Sequence, residues 1–245
     1  MHSSWSDGKD DIPAILSYVA SQTDLSVVAI TDHDCIQGAL EARRLAPRYG
    51  LEVIVGEEVS TSRGHLLALF IHEHIPPGFS LSETVRWVHE QGGLAVLAHP
   101  FDRLANSPLR RFPHPSLADW LSFDLDGLEA LNGAQLDPWA LVRARSAAAE
   151  LGLSLTGGSD AHRKEAVGLA YTLFPGRTAV ELKVALREGL SLIGGRRWRW
   201  GEYWAWAVQS FEAWMGKRGR RCIMPNQEEE NTQGDISCEV TWGVL

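Results

Sequence analysis

The side chains with the clearest potential for chemistry are imidazoles and carboxylates that recur along the first two thirds of the chain. They are His2, Asp7, His33, Glu58, His65, His99, Asp160 and His162. Imidazole and carboxylate ligands suit Zn, Mn and Fe, and the absence of a thiolate among them argues against a structural zinc finger. Eight ligands exceed the needs of one ion. We therefore predict two or three divalent metal ions (Mn, Fe or Zn), bridged by Glu58 or by a hydroxide.

The stretch 156–162, Thr-Gly-Gly-Ser-Asp-Ala-His, concentrates this chemistry late in the series. It follows a short apolar run, 151–155, that predicts a buried strand, and its two glycines predict a tight turn. Asp160 and His162 would leave that strand end two residues apart and could reach one metal cluster. Alone, Asp-x-His is also common in polar turns, but similar strand ends elsewhere in the chain favour a site. We predict catalytic roles for His33, Asp160 and His162.

The elements that position these residues follow from hydrophobic periodicity. Helices are predicted at 10–20, 36–49, 80–91, 138–151 and 178–188, and strands at 26–30, 51–55, 66–71, 94–98, 127–131, 151–155 and 168–174. Alternating strands and helices predict an α/β fold with a mostly parallel sheet. Ionisable residues at several strand ends favour a closed barrel with a metal site at the C-terminal ends of its strands. An open doubly wound sheet is the alternative, although no Gly-rich phosphate loop follows the first strand.

Composition narrows the class of protein. The 245 residues carry a net charge of −8 and the pI is near 5.6. This charge argues against a broad basic face for gripping duplex nucleic acid, but it allows a local phosphate site. The three cysteines, Cys35, Cys222 and Cys238, form no pattern. We therefore expect reduced thiols and a cytoplasmic location. No signal peptide and no run of 18 apolar residues is evident, so no membrane span is expected.

The order of the motifs resembles the polymerase and histidinol phosphatase (PHP) family. The matching segments are His2 with Ser6-Asp7-Gly8, Thr31-Asp32-His33, Glu58, His65, Ala98-His99-Pro100 and Ser159-Asp160-Ala161-His162. The resemblance covers residues 1 to about 190 and implies a distorted seven-stranded (β/α)7 barrel with a trinuclear site, usually of Mn, Fe or Zn. It also implies a metal-dependent phosphoric ester hydrolase. The most similar members are small stand-alone phosphoesterases, which include nucleotide phosphatases and a 5′→3′ exoribonuclease.

One part of the family pattern falls before the sequence begins. The first histidine of the His-x-His motif would lie two residues before His2, and Met1 occupies the middle position. We expect that the start is misplaced and that an upstream Asp-x-His completes the metal site. The alternative is an impaired or non-catalytic PHP module that acts as a binding element through its C-terminal tail.

Substrate-binding residues are predicted in the loop after His99 and at the end of a later strand. They are Arg103, Arg111 and Asn132. The arginines, with Arg110 and His114 beside them, would hold a second phosphate or the 5′ end of a nucleotide. Solvated loop charges are the alternative. The expected partner is a small phosphorylated substrate, either a nucleotide such as a nucleoside mono- or bisphosphate or a short single-stranded RNA, and not duplex DNA.

The C-terminal part differs in composition from the rest, so we divide the chain into domains 1–193, 194–225 and 226–245. Five of the ten tryptophans lie between Trp198 and Trp214. An apolar stripe at helical spacing predicts an amphipathic helix within 194–225. Its members are Trp200, Tyr203, Trp204, Ala207, Val208, Phe211, Trp214 and Met215. The stripe would pack on the barrel or mediate self-association, and the alternative is peripheral binding to an anionic membrane. Residues 226–245 are polar and are predicted to be disordered.

Overall fold

The computed structural model describes residues 1–102, 119–120 and 122–216. Its helices are α1 (Ile12–Gln22), α2 (Gln37–Leu45), α3 (Leu81–Glu90), α4 (Ala140–Leu151), α5 (Ala179–Arg187) and α6 (Trp200–Gly216). Its strands are β1 (Val27–Ile30), β2 (Glu52–Thr61), β3 (Gly64–Leu69), β4 (Leu94–Leu97), β5 (Gly127–Asn132), β6 (Ser154–Gly158), β7 (Ala170–Leu173) and β8 (Leu192–Gly195). Short 3-10 helices span Ala46–Tyr49 and Lys164–Ala166. The predicted disordered segment 226–245 lies outside the described residues.

Several helices begin at side chains that cap them. The Asp11 carboxylate accepts a hydrogen bond from a backbone N–H in the first turn of α1. Ser80 with Glu83, and Thr178 with Glu181, form capping boxes that begin α3 and α5. These three helices start within two residues of the predicted positions. The predicted apolar face of α1 is buried, through Ile12, Ile15, Leu16 and Val19.

The main sheet has six strands in the order β1-β2-β3-β4-β5-β6. β1 is parallel to β2, and β4, β5 and β6 are parallel to one another. β3 is antiparallel to both β2 and β4. β2 extends to Thr61 and returns through a two-residue connection into β3, so no helix separates these strands. The prediction of strand–helix alternation throughout the chain is therefore wrong here, and the predicted strand 51–55 is only the first part of β2.

The sheet curls until its two edges approach each other. The Met1 carbonyl accepts a hydrogen bond from Thr31 N, just after β1, at 2.9 Å. His2 N donates to the Ala161 carbonyl, after β6, at 2.9 Å. Two consecutive residues therefore bridge the ends of the strands at opposite edges. β7 and β8 form a separate antiparallel pair that contacts β6.

Strand order distinguishes the two architectures that the sequence allowed. Strands that are consecutive in the chain are neighbours across the whole main sheet, as in a (β/α) barrel, whereas a doubly wound sheet reverses its order at a switch point. The described residues form a curled six-stranded sheet and a two-stranded one, not seven strands closed into a ring. The α/β class is confirmed, and the complete (β/α)7 barrel stays a prediction.

The hydrophobic core lies between the sheet and the outer helices. Its fully buried members include Leu16 of α1, Ile30 of β1, Leu66 of β3, Leu97 of β4 and Leu128 of β5. Burying one such side chain contributes about 1.5–3 kcal/mol. The strand ends are thus held by a packed scaffold.

The Trp-rich segment forms α6, which lies against the strand ends. Tyr203 Oη donates to the Gln135 carbonyl (3.0 Å), and Gln209 Nε2 donates to the Asp7 carbonyl (3.2 Å). Four large members of the predicted eight-residue stripe are exposed: Trp200, Trp204, Val208 and Phe211. For these four the expected packing on the barrel is wrong, because α6 contacts the barrel through Tyr203 and through residues outside the stripe, such as Gln209. Self-association, membrane binding and the domain boundaries stay predictions. Among the described helices, none has the length and hydropathy needed to cross a bilayer.

Candidate metal centre

The first seven residues carry His2 and Asp7 to the ends of the strands. Asp32, which follows β1, is fully buried and fixes this segment. Its carboxylate accepts hydrogen bonds from Ser3 N (2.6 Å), Ser3 Oγ (2.7 Å) and Ser6 Oγ (2.6 Å). His2 is buried, while the side chain of Asp7 is 54% exposed. Two candidate ligands that precede any regular secondary structure are therefore positioned by the end of β1.

Glu58 presents both of its carboxylate oxygens to imidazoles. Oε1 lies 2.7 Å from His65 Nδ1 and 3.2 Å from His99 Nε2, and Oε2 lies 3.2 Å from His2 Nε2. His65 comes from β3, and His99 follows β4. This arrangement suits the bridging carboxylate predicted from the sequence. The expectation that Glu58 follows the end of its strand is wrong, since β2 continues to Thr61.

Asp160 and His162 follow β6 as predicted, but the turn is made differently. Gly157 and Gly158 belong to the strand, and the left-handed backbone conformation falls at Asp160, with φ 49°. A side chain at Gly157 would collide with the Tyr171 carbonyl of β7. Gly157 therefore allows β7 to approach closely, and aspartate, which tolerates the left-handed region, makes the turn.

Ligands from distant parts of the chain converge at these strand ends. The ring of His2 stacks on His33 and on His162, with centroids 4.5 and 4.4 Å apart. Asp160 Oδ1 lies 3.0 Å from His2 Nε2, although the two residues are 158 positions apart. Asp7 Oδ2 lies 3.1 Å from His162 Nε2. The predicted ligands thus share one site.

Three groups of side chains are compact enough to hold metal ions, with the ligand atoms of each group within 4.8 Å of one another. They are His2–Asp7–His33–His162, His33–Glu58–His65 and His2–Glu58–Asp160. Because His2, His33 and Glu58 each belong to two groups, the three form one linked cluster. Seven of the eight predicted ligands take part. His99 contacts Glu58 but belongs to none of the three groups.

The donor atoms fit divalent metal ions. The ligands are only imidazole nitrogens and carboxylate oxygens, which suit Mn, Fe and Zn. Nδ1 of His2 and Nδ1 of His99 are buried and have no hydrogen-bond partner in the part of the chain described, a costly state for a polar atom. His162 Nδ1 lies 2.9 Å from the Asp160 carbonyl and must donate to it. With Nδ1 occupied in this way, Nε2 is the atom through which His162 would bind a metal ion, in place of its 3.1 Å contact with Asp7 Oδ2.

The carboxyl groups of the cluster stay ionised. Burial alone would raise the pKa of each, but the surrounding imidazoles outweigh it. A hydrogen bond from His162 holds the pKa of Asp7 well below its usual range. The hydrogen bond from His2 and the charge of His162 do the same for Asp160. Neighbouring imidazoles also lower the pKa of Glu58. Three negative charges are thus present at neutral pH.

The pKa values of the imidazoles shift in two directions. Burial lowers the pKa of His2 and His99, but their hydrogen bonds to carboxylates outweigh it and raise the pKa to about 10 and about 9. For His33 burial dominates, and its pKa is lowered. In the metal-free protein His2 and His99 therefore carry protons at neutral pH, and metal ions would displace those protons on binding.

Two buried polar residues of β5, Glu129 and Asn132, form hydrogen bonds with residues of the cluster. Glu129 Oε2 accepts hydrogen bonds from His99 N (3.0 Å) and Asn132 Nδ2 (2.9 Å), and Asn132 Nδ2 also donates to Asp160 Oδ2 (3.2 Å). Burial raises the pKa of Glu129 to about 7. Sequence reasoning missed Glu129, although an acid within the apolar strand 127–131 is a usable signal. The contacts of Asn132 position Asp160, and its predicted role in substrate binding stays a prediction.

A cavity of about 370 Å³ opens over the cluster. Metal-ligand candidates and Asp102 form part of its lining. The other lining residues are apolar or aromatic: Ala134, Leu136, Trp198, Tyr203 and Trp206. Sequence reasoning missed Trp198, Tyr203 and Trp206 as lining residues because it treated the Trp-rich segment as a separate unit. The predicted substrate-binding residues Arg103 and Arg111 lie outside the described residues, as do Arg110 and His114, so their roles stay predictions.

Sequence comparison identifies relatives of the chain. A family model described as PHP-associated matches residues 138–190. An uncharacterized protein of Methanocaldococcus jannaschii is 38% identical over 125 residues, which are 51% of this chain and 68% of the relative. The phosphoribosyl 1,2-cyclic phosphate 1,2-diphosphodiesterase of Eggerthella lenta is 38% identical over 82 residues, which are 31% of each protein.

Solved structures share the fold at low sequence identity. A two-domain protein of Bacteroides vulgatus, containing a predicted PHP-like metal-dependent phosphoesterase, superposes with a TM-score of 0.65 and 18% identity. The match covers 80% of this chain and 63% of that one. Endonuclease Q in complex with a 27-mer duplex substrate gives a TM-score of 0.55 and 16% identity, over 80% of this chain and 56% of that one. The chain thus spans less than two thirds of these two neighbours, and the likeness shows the fold.

The fold and the donor set agree with membership of the PHP family. The Methanocaldococcus relative is well above 30% identical over about two thirds of its own length, and the PHP-associated model matches within the chain. The chain belongs to the PHP family. The family resemblance drawn from the motifs, and the enzyme class that it implies, are confirmed. The substrate, the identity of the ions and their number require a separate proposal.

Proposed function

We propose that the protein hydrolyses phosphate esters of nucleotides, as a nucleoside mono- or bisphosphate phosphatase, as a 5′→3′ exoribonuclease on short RNA, or as both. The observation that carries this proposal is the linked set of three donor groups beside a cavity of about 370 Å³. Small-molecule sites occupy about 300–1,000 Å³. The Eggerthella relative is named as a diesterase of a phosphoribosyl cyclic phosphate, which is also a phosphate ester of a ribose.

Two or three divalent ions (Mn, Fe or Zn) would be held by the three donor groups. Such ions, when bound, supply an activated water and neutralise the charge of a phosphate ester. Asp7, Glu58 and Asp160 contribute three negative charges, so three ions with a total of about +6 would leave the site near +3. A local charge of this size suits one or two phosphates. It requires no basic surface, in agreement with a net charge of −8.

The catalytic roles are proposed for His33, Asp160 and His162. Asp160 is held by Asn132 at a rigid strand end, so it would fix the position of the reacting group. His162 directs Nε2 toward the cluster, because its Nδ1 donates to a carbonyl. The side chain of His33 is 28% exposed, more than the other imidazoles of the cluster. Its lowered pKa keeps it neutral at pH 7, so it is the imidazole best suited to exchange a proton with the substrate.

Small or single-stranded phosphates are the proposed substrates, and duplex DNA is not. A duplex carries one charge about every 1.7 Å of its axis, so gripping it takes many Lys and Arg on one face. This chain has 23 such residues against 31 acids. Endonuclease Q shares the fold and binds a duplex, so charge rather than fold supports this choice. A cytoplasmic location, proposed from the cysteine content, agrees with nucleotide substrates.

An alternative function is supported by the outer face of α6. An impaired or non-catalytic PHP module would act as a binding element through exposed aromatic side chains. Trp200, Trp204 and Phe211 are 88%, 73% and 58% exposed. Such a protein would bind a partner or a membrane surface and would turn over no phosphate ester. The presence of three linked donor groups favours the enzyme.

The test is metal analysis of the purified protein followed by a screen for phosphate release. The substrates are nucleoside monophosphates, nucleoside 3′,5′-bisphosphates and 5′-phosphorylated oligoribonucleotides. Glu58→Gln should lose bound metal and phosphate release, whereas Glu90→Gln, at an exposed position of α3, should retain both. Metal-replete protein that hydrolyses none of these substrates would reject the proposed enzyme and support the binding module.

A further inference from the structure

We propose that Trp206 of α6 is an aromatic platform that stacks on the planar base of the substrate. The platform selects nucleoside phosphates over phosphate esters that lack an aromatic group. This inference rests on the proposed function and assigns a recognition role to the C-terminal helix. It concerns the same cavity and the aromatic residues that line it beside the metal-ligand candidates.

The lining of the cavity combines the two kinds of surface that a nucleotide needs. Its carboxylates and imidazoles suit a phosphate with bound metal ions. Its aromatic residues, Trp198, Tyr203 and Trp206, suit a planar base. The ring centroid of Trp206 is 6.3 Å from that of His162, a candidate metal ligand. A phosphate held at the cluster therefore places its organic group within reach of the Trp206 ring.

Two of the three aromatic residues, Trp198 and Tyr203, are held in place by hydrogen bonds to backbone carbonyls. Trp198 is 7% exposed, and its Nε1 donates to the Ser159 carbonyl (3.0 Å). Tyr203 Oη donates to the Gln135 carbonyl (3.0 Å), and the Trp198 and Tyr203 rings are 5.5 Å apart. These side chains pack and hydrogen-bond as structural residues do.

Anchors on both sides of Trp206 hold its position relative to the cluster. Tyr203 lies about one turn before it. About one turn after it, Gln209 Nε2 donates to the carbonyls of Asp7 (3.2 Å) and His162 (3.4 Å). Asp7 and His162 are themselves candidate ligands. Helix α6 is thus hydrogen-bonded to the same backbone segments that carry Asp7 and His162. The Trp206 ring therefore keeps a fixed position relative to the cluster.

Trp206 itself is not packed as a core residue. The residue lines the cavity over the cluster and also a second cavity of about 490 Å³. The residue is 40% exposed, compared with 7% for Trp198. A tryptophan buried for stability alone would be covered on both faces. An anchored ring with open space beside it is suited to stacking on a flat ligand.

The test uses the full chain loaded with Mn²⁺ and two substrates, adenosine 5′-monophosphate and ribose 5-phosphate, in which a hydroxyl group replaces the base. Trp206→Ala should lower the ratio of kcat/KM for the nucleotide to that for the sugar phosphate about 5- to 150-fold, the effect of losing one base–aromatic stack. The change should lie mainly in KM. Trp206→Leu, which keeps an apolar side chain in the helix, should lower the ratio similarly, and Trp206→Phe should restore most of it.

The matched control is Trp204→Ala. Trp204 lies two residues away on the same helix and is 73% exposed, on the face that does not line the cavity. This variant should keep the wild-type ratio. An unchanged ratio in folded Trp206→Ala or Trp206→Leu would overturn the platform while leaving the proposed function intact.

Equilibrium binding separates this inference from the proposed function. Calorimetric titration of both ligands into metal-loaded protein requires no turnover. If the wild type hydrolyses neither substrate, the ratio of the two dissociation constants still decides the role of Trp206, and the screen over nucleoside bisphosphates and 5′-phosphorylated oligoribonucleotides decides the proposed function separately. Tighter binding of the nucleotide that is lost in Trp206→Leu supports the platform. Equal binding of both ligands by the wild type contradicts it.

Discussion

Replacing Asp160 by asparagine perturbs the metal centre with little change of shape. Asp160→Asn keeps the size of the side chain, and asparagine also tolerates the left-handed backbone found there, with φ 49°. The hydrogen bond from Asn132 Nδ2 (3.2 Å) can remain. The variant loses one negative charge that lies 3.0 Å from His2 Nε2. We therefore expect a folded protein with a weakened metal centre.

The expected size of the effect follows from that contact. A hydrogen bond to a charged group contributes about 1.5–3 kcal/mol, which corresponds to about 10- to 150-fold in an equilibrium constant. Contact with a divalent ion involves a larger charge, so this range is a lower bound for the loss of metal affinity in the His2–Glu58–Asp160 group. Phosphate release should fall by at least as much when metal is limiting.

The assay combines calorimetric titration with Mn²⁺ and phosphate release from the same preparations. The matched control is Asp124→Asn, since Asp124 also has a left-handed backbone, with φ 53°. Its side chain is 89% exposed and lies beside His89, outside the candidate groups. The control should bind Mn²⁺ and release phosphate as the wild type does. Wild-type affinity and rate in Asp160→Asn would show that Asp160 is not a ligand and would refute this reasoning.

Three further predictions concern pH, salt and stability. In the metal-free fold the pKa values of His2 and His99, about 10 and about 9, lie above the ordinary 6.5. Their protonated pairs therefore stabilise that fold fully below pH 6.5 and lose this contribution as pH rises through 9–10. The melting temperature of chelator-treated protein should fall over this range while Mn²⁺ affinity rises, and an opposite trend in both would contradict the pairing. The rate of phosphate release from a nucleoside bisphosphate should depend weakly on salt concentration, and duplex DNA of equal end concentration should be hydrolysed more slowly. Faster hydrolysis of the duplex, with a steep dependence on salt, would overturn the small-substrate proposal. Ser80→Ala should lower the free energy of unfolding in urea by about 1 kcal/mol, because α3 loses its cap, and should leave kcat unchanged.

Local patterns in the sequence predict most of the helices and strands, and they fail where tertiary contacts decide. The caps of α1, α3 and α5 are local, so those helices begin near the predicted residues. β2 is different because Glu57 and Glu58 lie in its interior and look like the end of a strand. Both are buried, and their partners come from elsewhere in the chain; Glu57, for example, contacts His74 Nδ1 at 3.1 Å. The sequence shows that the two residues are acidic. It does not show which histidines will contact them and so allow two carboxylates to be buried inside a sheet.

The sequence also predicts part of the candidate site. Residue types near strand ends are sufficient to predict which imidazoles and carboxylates converge, because those ends approach one another in a curled sheet. The aromatic residues that line the cavity, Trp198, Tyr203 and Trp206, could not be predicted as part of the site, because their position depends on contacts between distant parts of the chain. Tyr203 reaches Gln135, 68 positions away, and Gln209 reaches Asp7, 202 positions away. Helical periodicity identified a stripe that is largely exposed, and of the cavity-lining residues of α6 it included Tyr203 but not Trp206.

The most direct measurement of the metal centre is anomalous X-ray diffraction from crystals of the full chain grown with Mn²⁺. We predict two or three peaks among the donor groups His2–Asp7–His33–His162, His33–Glu58–His65 and His2–Glu58–Asp160. Peaks bounded by these imidazoles and carboxylates would establish the ligands directly. Peaks found only at other positions, with these side chains still paired to one another, would contradict the assignment of a metal centre here.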